Sequence, residues 1–130
     1  TGHLHEREVS HHLGQAIRFA PHVAPFFRGI TTTIMARLKR PIDPIELSQL
    51  YEHFYANHHL IKIRPDEIPF VRDATNSPQA TIGGLTIDEN NPCHVSLVVT
   101  LDNLLKGAAS QAIQNINLAS GFDPMEGLTP

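Results

Sequence analysis

What this sequence of 130 residues lacks excludes several classes of protein at once. It holds a single cysteine, Cys93, so no disulfide can close within it, and it is compatible with a reducing compartment. No apolar run approaches a membrane span: stretches such as VSLVVTL (95–101) reach half of one or less, and no signal-like segment leads the chain. Lys and Arg number 10 against 13 Asp and Glu, for a net charge of -3, and no basic stripe with interleaved aromatics occurs. Neither nucleic acid nor membrane is therefore an expected partner. Repeats, low-complexity tracts and long Gly/Ser linkers are missing too, and the length suits one domain. The opening TGHLH lacks an initiator methionine, so the chain is expected to be a fragment.

What is present reads as an α+β fold. QAIRFAPHV (15–23) and GITTTIMARLKR (29–40) read as strands, the second from its β-branched content and partial alternation. A helix follows in PIDPIELSQLYEHFYANHH (41–59). Asp43 is its expected cap, Pro44 suits the first turn, Glu46 completes a capping box, and Leu47, Leu50, Tyr51 and Phe54 form the expected buried stripe. LIKIRP (60–65), ATIGGLTID (80–88) and CHVSLVVTL (93–101) read as further strands, joined by turns around DATNSP and ENNP. A final helix spans about 103–120, with Leu105, Ala109, Ala112 and Ile116 on one stripe and Gly121 as its C-terminal cap. The order predicts a mixed or mostly antiparallel sheet covered by helices on one face.

Several residues stand out chemically. If about His5 to Leu13 form a short helix ended by Gly14, His5 and Glu8 are i, i+3 neighbours, and Val9 and Leu13 make its packed side. A carboxylate beside an imidazole fixes its tautomer, an arrangement that acid–base catalysis uses. His3 is a second candidate, and the competing reading is a set of solvated surface residues. A zinc site built from His3, His5, Glu8, His11 or His12 is the rival from another class, although no cysteine pair or HExxH frame supports it, and no metal is expected. Among the other histidines, His22 in APHVAP has the most site-like context, while His53, His58, His59 and His94 read as structural or surface groups. Arg28, between two phenylalanines and a glycine, can make a bidentate contact with a substrate carboxylate or phosphate, or a structural salt bridge. Gly107 inside the last helix implies either close packing or the approach of a ligand, and Asp102 and Asn103 stand where side chains can satisfy free N–H groups. Cys93 has no neighbour that lowers its pKa and reads as a small semi-buried hydrophobe; Arg37, Lys39 and Arg40 read as a solvated strand end.

GHLHEREVSHHLG, FAPHVAPFFRGITTTI, YEHFY and DNLLKGAASQAIQNINLASGF together resemble the C-terminal portion of the N-acetyl-gamma-glutamyl-phosphate reductases, in order along almost the whole chain. HEREV, in place of the commoner His-x-Pro-Glu-Ile, resembles the variant fused to acetylglutamate kinase; the aminoadipyl-phosphate and aspartyl-phosphate reductases are more distant likenesses. The resemblance implies a substrate domain of the glyceraldehyde-3-phosphate-dehydrogenase type, with residues 1–130 as part of it and the terminal helix returning to a dinucleotide-binding domain. It implies NADPH-dependent reduction of an acyl phosphate to an aldehyde in arginine biosynthesis, through a cysteine thiolate and a proton-moving histidine. The family's His-x-x-Glu signature falls on His5 and Glu8, with His3 as the alternative; Arg28 and His22 are implied on the substrate side, and Asn103, Lys106 and Gly107 near the cofactor, NADP. Neither a GxGxxG loop nor the family's cysteine motif occurs in the 130 residues, so the chain alone is expected to be inactive. A homo-oligomer is expected, in the cytoplasm or alternatively the mitochondrial matrix, with the small-residue side of the last helix (Ala108, Ala112, Ala119) facing the other domain.

Overall fold

The computed structural model describes residues 2–128. The chain runs α1 (Leu4–Leu13), β1 (Ile30–Arg37), α2 (Pro44–Tyr55), β2 (Ile61–Arg64), the short α3 (Val71–Ala74), β3 (Ala80–Asp88), β4 (Asn91–Leu101) and α4 (Ser110–Ser120). A π-helical turn, Leu105–Ala109, leads into α4. The strands form one mixed sheet in the order β1-β4-β3-β2. β4 pairs antiparallel with both β1 and β3, and β2 runs parallel to β3, as the predicted mixed sheet requires.

The register explains where the core sits. Ile63, Ile82, Val99 and Thr32 lie opposite one another across the four strands, as do Ile61, Ala80, Leu101 and Ile30 one step away, so one face is largely apolar. The buried Ala80, Ile82, Val95 and Leu97 belong to this face, and α2 packs against β2 and β3 with Leu47 inserted. The intervening row, Lys62, Thr81, Thr100 and Thr31, gives the opposite face its polar character. β1 and β2 are the two edge strands, and every residue of β1 is exposed.

Local chemistry accounts for the helix ends. Asp43 accepts the Glu46 N–H at 2.9 Å, and Pro44 costs nothing at the first turn because its missing N–H would have had no partner. Gly14 closes α1 at φ 65°, a left-handed conformation that glycine adopts without a Cβ clash, and Gly121 ends α4 in the same way.

Several expectations are overturned. Residues 15–23 form no strand: the Ile17 and Phe19 N–H groups donate to α1 side chains instead of a sheet, and Pro21 has no N–H to give. Only Leu47 of the predicted α2 stripe is buried; Tyr51 is half-buried, while Leu50 and Phe54 are 56% and 66% exposed, because the helix rests on the sheet along one narrow line. α2 ends at Tyr55, short of His59. Val9 and Leu13 are exposed, since α1 lies against the irregular chain after it rather than against the core. The last helix begins as a π turn over Leu105–Ala109 rather than as a regular α-helix. α3, over VRDA, was not predicted.

Leu47→Ala is expected to cost about 2–5 kcal/mol in urea unfolding, the usual cost of emptying a buried leucine site. Leu50→Ala on the same helix should change stability by no more than about 0.5 kcal/mol.

Candidate active site

The start of α1 gathers the three acid–base candidates. His3 is the N-cap, and its Nδ1 accepts the His5 N–H at 3.2 Å, so in this arrangement its ring proton sits on Nε2. His5 is oriented the other way round. Its Nδ1 lies 3.2 Å from Glu8 Oε2, one turn along, which places the ring proton on Nδ1 and leaves Nε2 open as an acceptor. The two imidazoles sit with centroids 5.0 Å apart. Thus His3 spends a nitrogen on holding the helix and His5 spends one on a carboxylate, the division expected if His5 does the chemistry. The His5–Glu8 pair is exposed, so it stabilises the fold by no more than about 1 kcal/mol.

The second group of candidates converges on Asp102, whose side chain is fully buried. Its Oδ2 accepts from Arg28 Nη2 at 2.6 Å and from the Asn76 N–H at 2.8 Å. Its Oδ1 accepts the Leu104 and Leu105 N–H groups at 2.9 and 3.1 Å, satisfying free donors at the start of the last helix. Burial pushes the Asp102 carboxyl up, but the Arg28 guanidinium and the three backbone N–H groups outweigh this and hold it at about 2. Arg28 also donates through Nη1 to Asn76 Oδ1 at 2.9 Å, and Asn76 supports this from a left-handed backbone at φ 63°. Next along the chain, the Gly29 N–H donates to Asn103 Oδ1 at 2.6 Å. A Cβ on Gly29 would lie 2.3 Å from Val71 Cγ1, so a larger residue there must push the Val71 side chain aside, and the φ of 109° itself favours glycine.

The structure therefore brings Arg28, Asn103 and the helix start together, with both terminal nitrogens of Arg28 engaged inside the chain. Lys106 Nζ donates to Gln111 Oε1 at 2.6 Å, and burial pushes its pKa down. Gly107 donates its N–H to Asp102 O in the π turn; a Cβ there would find only ordinary contacts, the nearest 3.5 Å away, so nothing among the described residues demands glycine. His22 is exposed, its Nδ1 3.0 Å from Ala20 O. Among the described residues no hydrogen bond or ion pair joins the His5–Glu8 pair to Arg28, Asn103 or Lys106. A recess of about 660 Å³ beside β2, lined in part by Lys62, Arg64, Arg72 and Thr100, contains none of the candidates.

Cys93 is half-buried near the start of β4. Arg37 and Lys39 are exposed as expected, whereas Arg40 forks onto Glu46 at the start of α2. No group of three or more His, Cys, Asp or Glu side chains among the described residues is placed to hold a metal ion. Sequence reasoning missed Asn76, Glu6, Ser10 and Phe19. Only Asn76 carried a signal, an asparagine in the turn-forming TNSP.

The open mixed sheet with its helices is the fold of a semialdehyde dehydrogenase C-terminal domain. The crystal structure of aspartate semialdehyde dehydrogenase II from Vibrio cholerae, complexed with ASA, superposes with a TM-score of 0.60 at 26% identity, covering 75% of this chain and 28% of that one. A probable aspartate-semialdehyde dehydrogenase from Pseudomonas aeruginosa gives a TM-score of 0.65 at 24% identity, over 75% of this chain and 28% of that one. In sequence, residues 1–103 match the profile of the semialdehyde dehydrogenase dimerisation domain, and the chain belongs to that family. It is 49% identical over 123 residues to the mitochondrial bifunctional protein argC of Dictyostelium discoideum, covering 95% of this chain and 14% of that protein. It is 44% identical over 128 residues to the mitochondrial protein arg11 of Schizosaccharomyces pombe, covering 98% and 14%. It is 48% identical over 125 residues to the N-acetyl-gamma-glutamyl-phosphate reductase of Xanthomonas euvesicatoria pv. vesicatoria, covering 96% and 39%. The chain thus spans between 14% and 39% of the length of these relatives.

Asp102→Asn leaves Arg28 without its anion and is expected to cost about 3–5 kcal/mol, the range for breaking one side of a buried ion pair. Because the folded carboxyl is held at about 2, below its unfolded value, its contribution is fully present above the unfolded carboxyl range and is lost as pH falls through about 2. Urea titrations from neutral pH downward should therefore show the difference between wild type and variant shrinking in acid.

Proposed function

We infer that this chain is part of the substrate domain of an NADPH-dependent reductase that converts N-acetyl-glutamyl 5-phosphate to N-acetyl-glutamate 5-semialdehyde and phosphate. The observation that carries the reading is the contact of His5 Nδ1 with Glu8 Oε2 at 3.2 Å, which presents Nε2 outward from the first turn of a helix. The 48% identity to a named reductase of this specificity supports the choice of substrate.

Reduction of an acyl phosphate needs a nucleophile, a hydride and a proton carrier. The thiolate belongs to residues outside this chain, since the family's cysteine motif does not occur in it and Cys93 has neither a glycine nor a helix start beside it. NADPH, when bound, supplies the hydride. His5 supplies the proton traffic: with Nδ1 turned to Glu8, its protonated Nε2 can give a proton to the carbonyl oxygen as the hydride arrives, and the neutral Nε2 can take that proton back as the C–S bond breaks to release thiolate and aldehyde. Glu8 holds the ring in that tautomer and stabilises the imidazolium once the proton arrives. At the start of the last helix, the Asn103 amide NH2 group suits a polar contact to the cofactor, because its Oδ1 is already spent on Gly29. Lys106 is turned toward Gln111 and Gln114. With no phosphate-cradling glycine loop in the sequence, most of the hold on NADPH comes from another domain.

One surface fits such an assembly. Ala108, Ala112 and Ala119 are exposed along the last helix, as are Ile116 and Leu118, which suits packing against a dinucleotide-binding domain. The family's description as a dimerisation domain supports a homo-oligomer; two relatives are named as mitochondrial and a third is bacterial, which fits either the cytoplasm or the mitochondrial matrix.

In the full-length reductase, His5→Asn is expected to lower turnover by about 10²–10⁴-fold with substrate affinity nearly intact, the usual contribution of a positioned proton carrier. Glu8→Gln should do less, and His3→Asn should be milder than His5→Asn. Normal turnover in His5→Asn removes His5 from the mechanism, and a collapse at His3 moves the role two residues upstream. Sedimentation of the chain by itself should show self-association at high concentration through its uncovered apolar surface; a strict monomer means that surface is covered within the 130 residues.

A further inference from the structure

The chain after α1 doubles back and is stapled to the helix at two points. Ser10 Oγ donates to Glu6 O at 2.6 Å and accepts the Ile17 N–H at 3.1 Å, while Glu6 Oε2 accepts the Phe19 N–H at 2.8 Å. The staples set the Phe19 ring against both imidazoles, with centroids 5.2 Å from His3 in a tilted contact and 6.2 Å from His5 edge to face. With His3 and His5 themselves 5.0 Å apart, the three rings form a closed triangle at the start of the helix.

The triangle answers a problem left by Glu8. The His5–Glu8 contact is a single exposed hydrogen bond, and an exposed pair of this kind is too weak to hold one ring orientation against water. The terminal torsion of histidine is broad, and turning the ring over exchanges Nδ1 for carbon at the carboxylate. Something must oppose that turn, and the neighbours in ring contact with His5 are His3, fixed by its capping bond, and Phe19.

We propose that Phe19 is a positioning residue, anchored by Glu6, that holds the His5 ring with Nδ1 toward Glu8 and Nε2 toward the reacting atoms. The inference rests on the acid–base reading of His5 for its purpose but not for its readout, which is made on this chain without substrate or cofactor. Long-range ¹⁵N–¹H spectra of the histidine rings, recorded well above the ordinary imidazole range where both rings are neutral, report which nitrogen of each carries the proton. Wild type should show His5 predominantly as the Nδ1–H form. Phe19→Leu keeps an apolar side chain but no ring, and should shift His5 toward the Nε2–H form with the backbone amide spectrum of α1 unchanged. Phe19→Tyr, which keeps the ring, should restore the wild-type signature. Glu6→Ala, which removes the anchor while leaving a good helix former, should shift His5 in the same direction as Phe19→Leu.

A Phe19→Leu chain with α1 intact and the His5 nitrogens unchanged overturns the proposal. Should Phe19→Leu melt α1, Glu6→Ala decides: α1 intact and His5 unchanged overturns it equally. If the spectra behave as stated but His5→Asn keeps normal turnover in the full-length reductase, the acid–base reading falls and the positioning of the ring stands.

Discussion

The Asp102 carboxylate is the point at which three stretches of chain, distant in sequence, are tied together. Four donors converge on its two oxygens: the Arg28 guanidinium from the irregular segment before β1, the Asn76 N–H from the turn after α3, and two N–H groups from the start of the last helix. A buried anion is tolerated only when its lone pairs are filled and its charge is matched, and both conditions are met here. The arrangement gives the segment before β1 a fixed end although it has no sheet or helix of its own. It also explains why the π turn that leads into the terminal helix starts at Leu105, shortly after β4 ends at Leu101.

The other end of that segment is fixed at α1, so the two groups of candidate residues share one continuous tether. Within the first group, adjacent histidines differ in role because their Nδ1 atoms face different partners, a backbone N–H for His3 and a carboxylate for His5. Residue type alone does not separate them; the position relative to the first helical turn does. Contacts too weak to matter for global stability, the carboxylate bond and the neighbouring rings taken together, can still decide which nitrogen faces outward, and in an acid–base site that selection is what counts.

Legibility in the sequence followed the range of the interactions. Asp43, Pro44 and Glu46 announced α2, and Gly14 and Gly121 announced two helix ends, because capping is decided within a few residues. The β-branched content of ITTTIMAR and the apolar run of β4 announced strands, and the i, i+3 spacing announced the His5–Glu8 contact. The Glu6 bond to Phe19 and the Asn76 bonds to Arg28 and Asp102 span 13, 48 and 26 residues, and no local pattern encodes them. The strand expected at residues 15–23 failed for the same reason, since the Ile17 and Phe19 N–H groups bond to α1 side chains rather than to a ladder. The stripe on α2 failed because amphipathic spacing says which residues share a face, not whether that face is covered.

The segment between Phe19 and Arg28 runs between two pins with no regular structure, and Val23 in its middle is wholly exposed. Its tolerance to change in length is therefore uneven. An added or deleted residue near Val23 alters only how far the loop bulges into water, at the slowly rising entropic cost of a longer closure. The same change between Ile17 and Phe19, or between Arg28 and Gly29, throws a donor out of phase with its acceptor and puts the wrong side chain against the histidines or the buried carboxylate. Within this segment the crest around Val23 is the place where a change in length does least harm, and its two feet are where it does most.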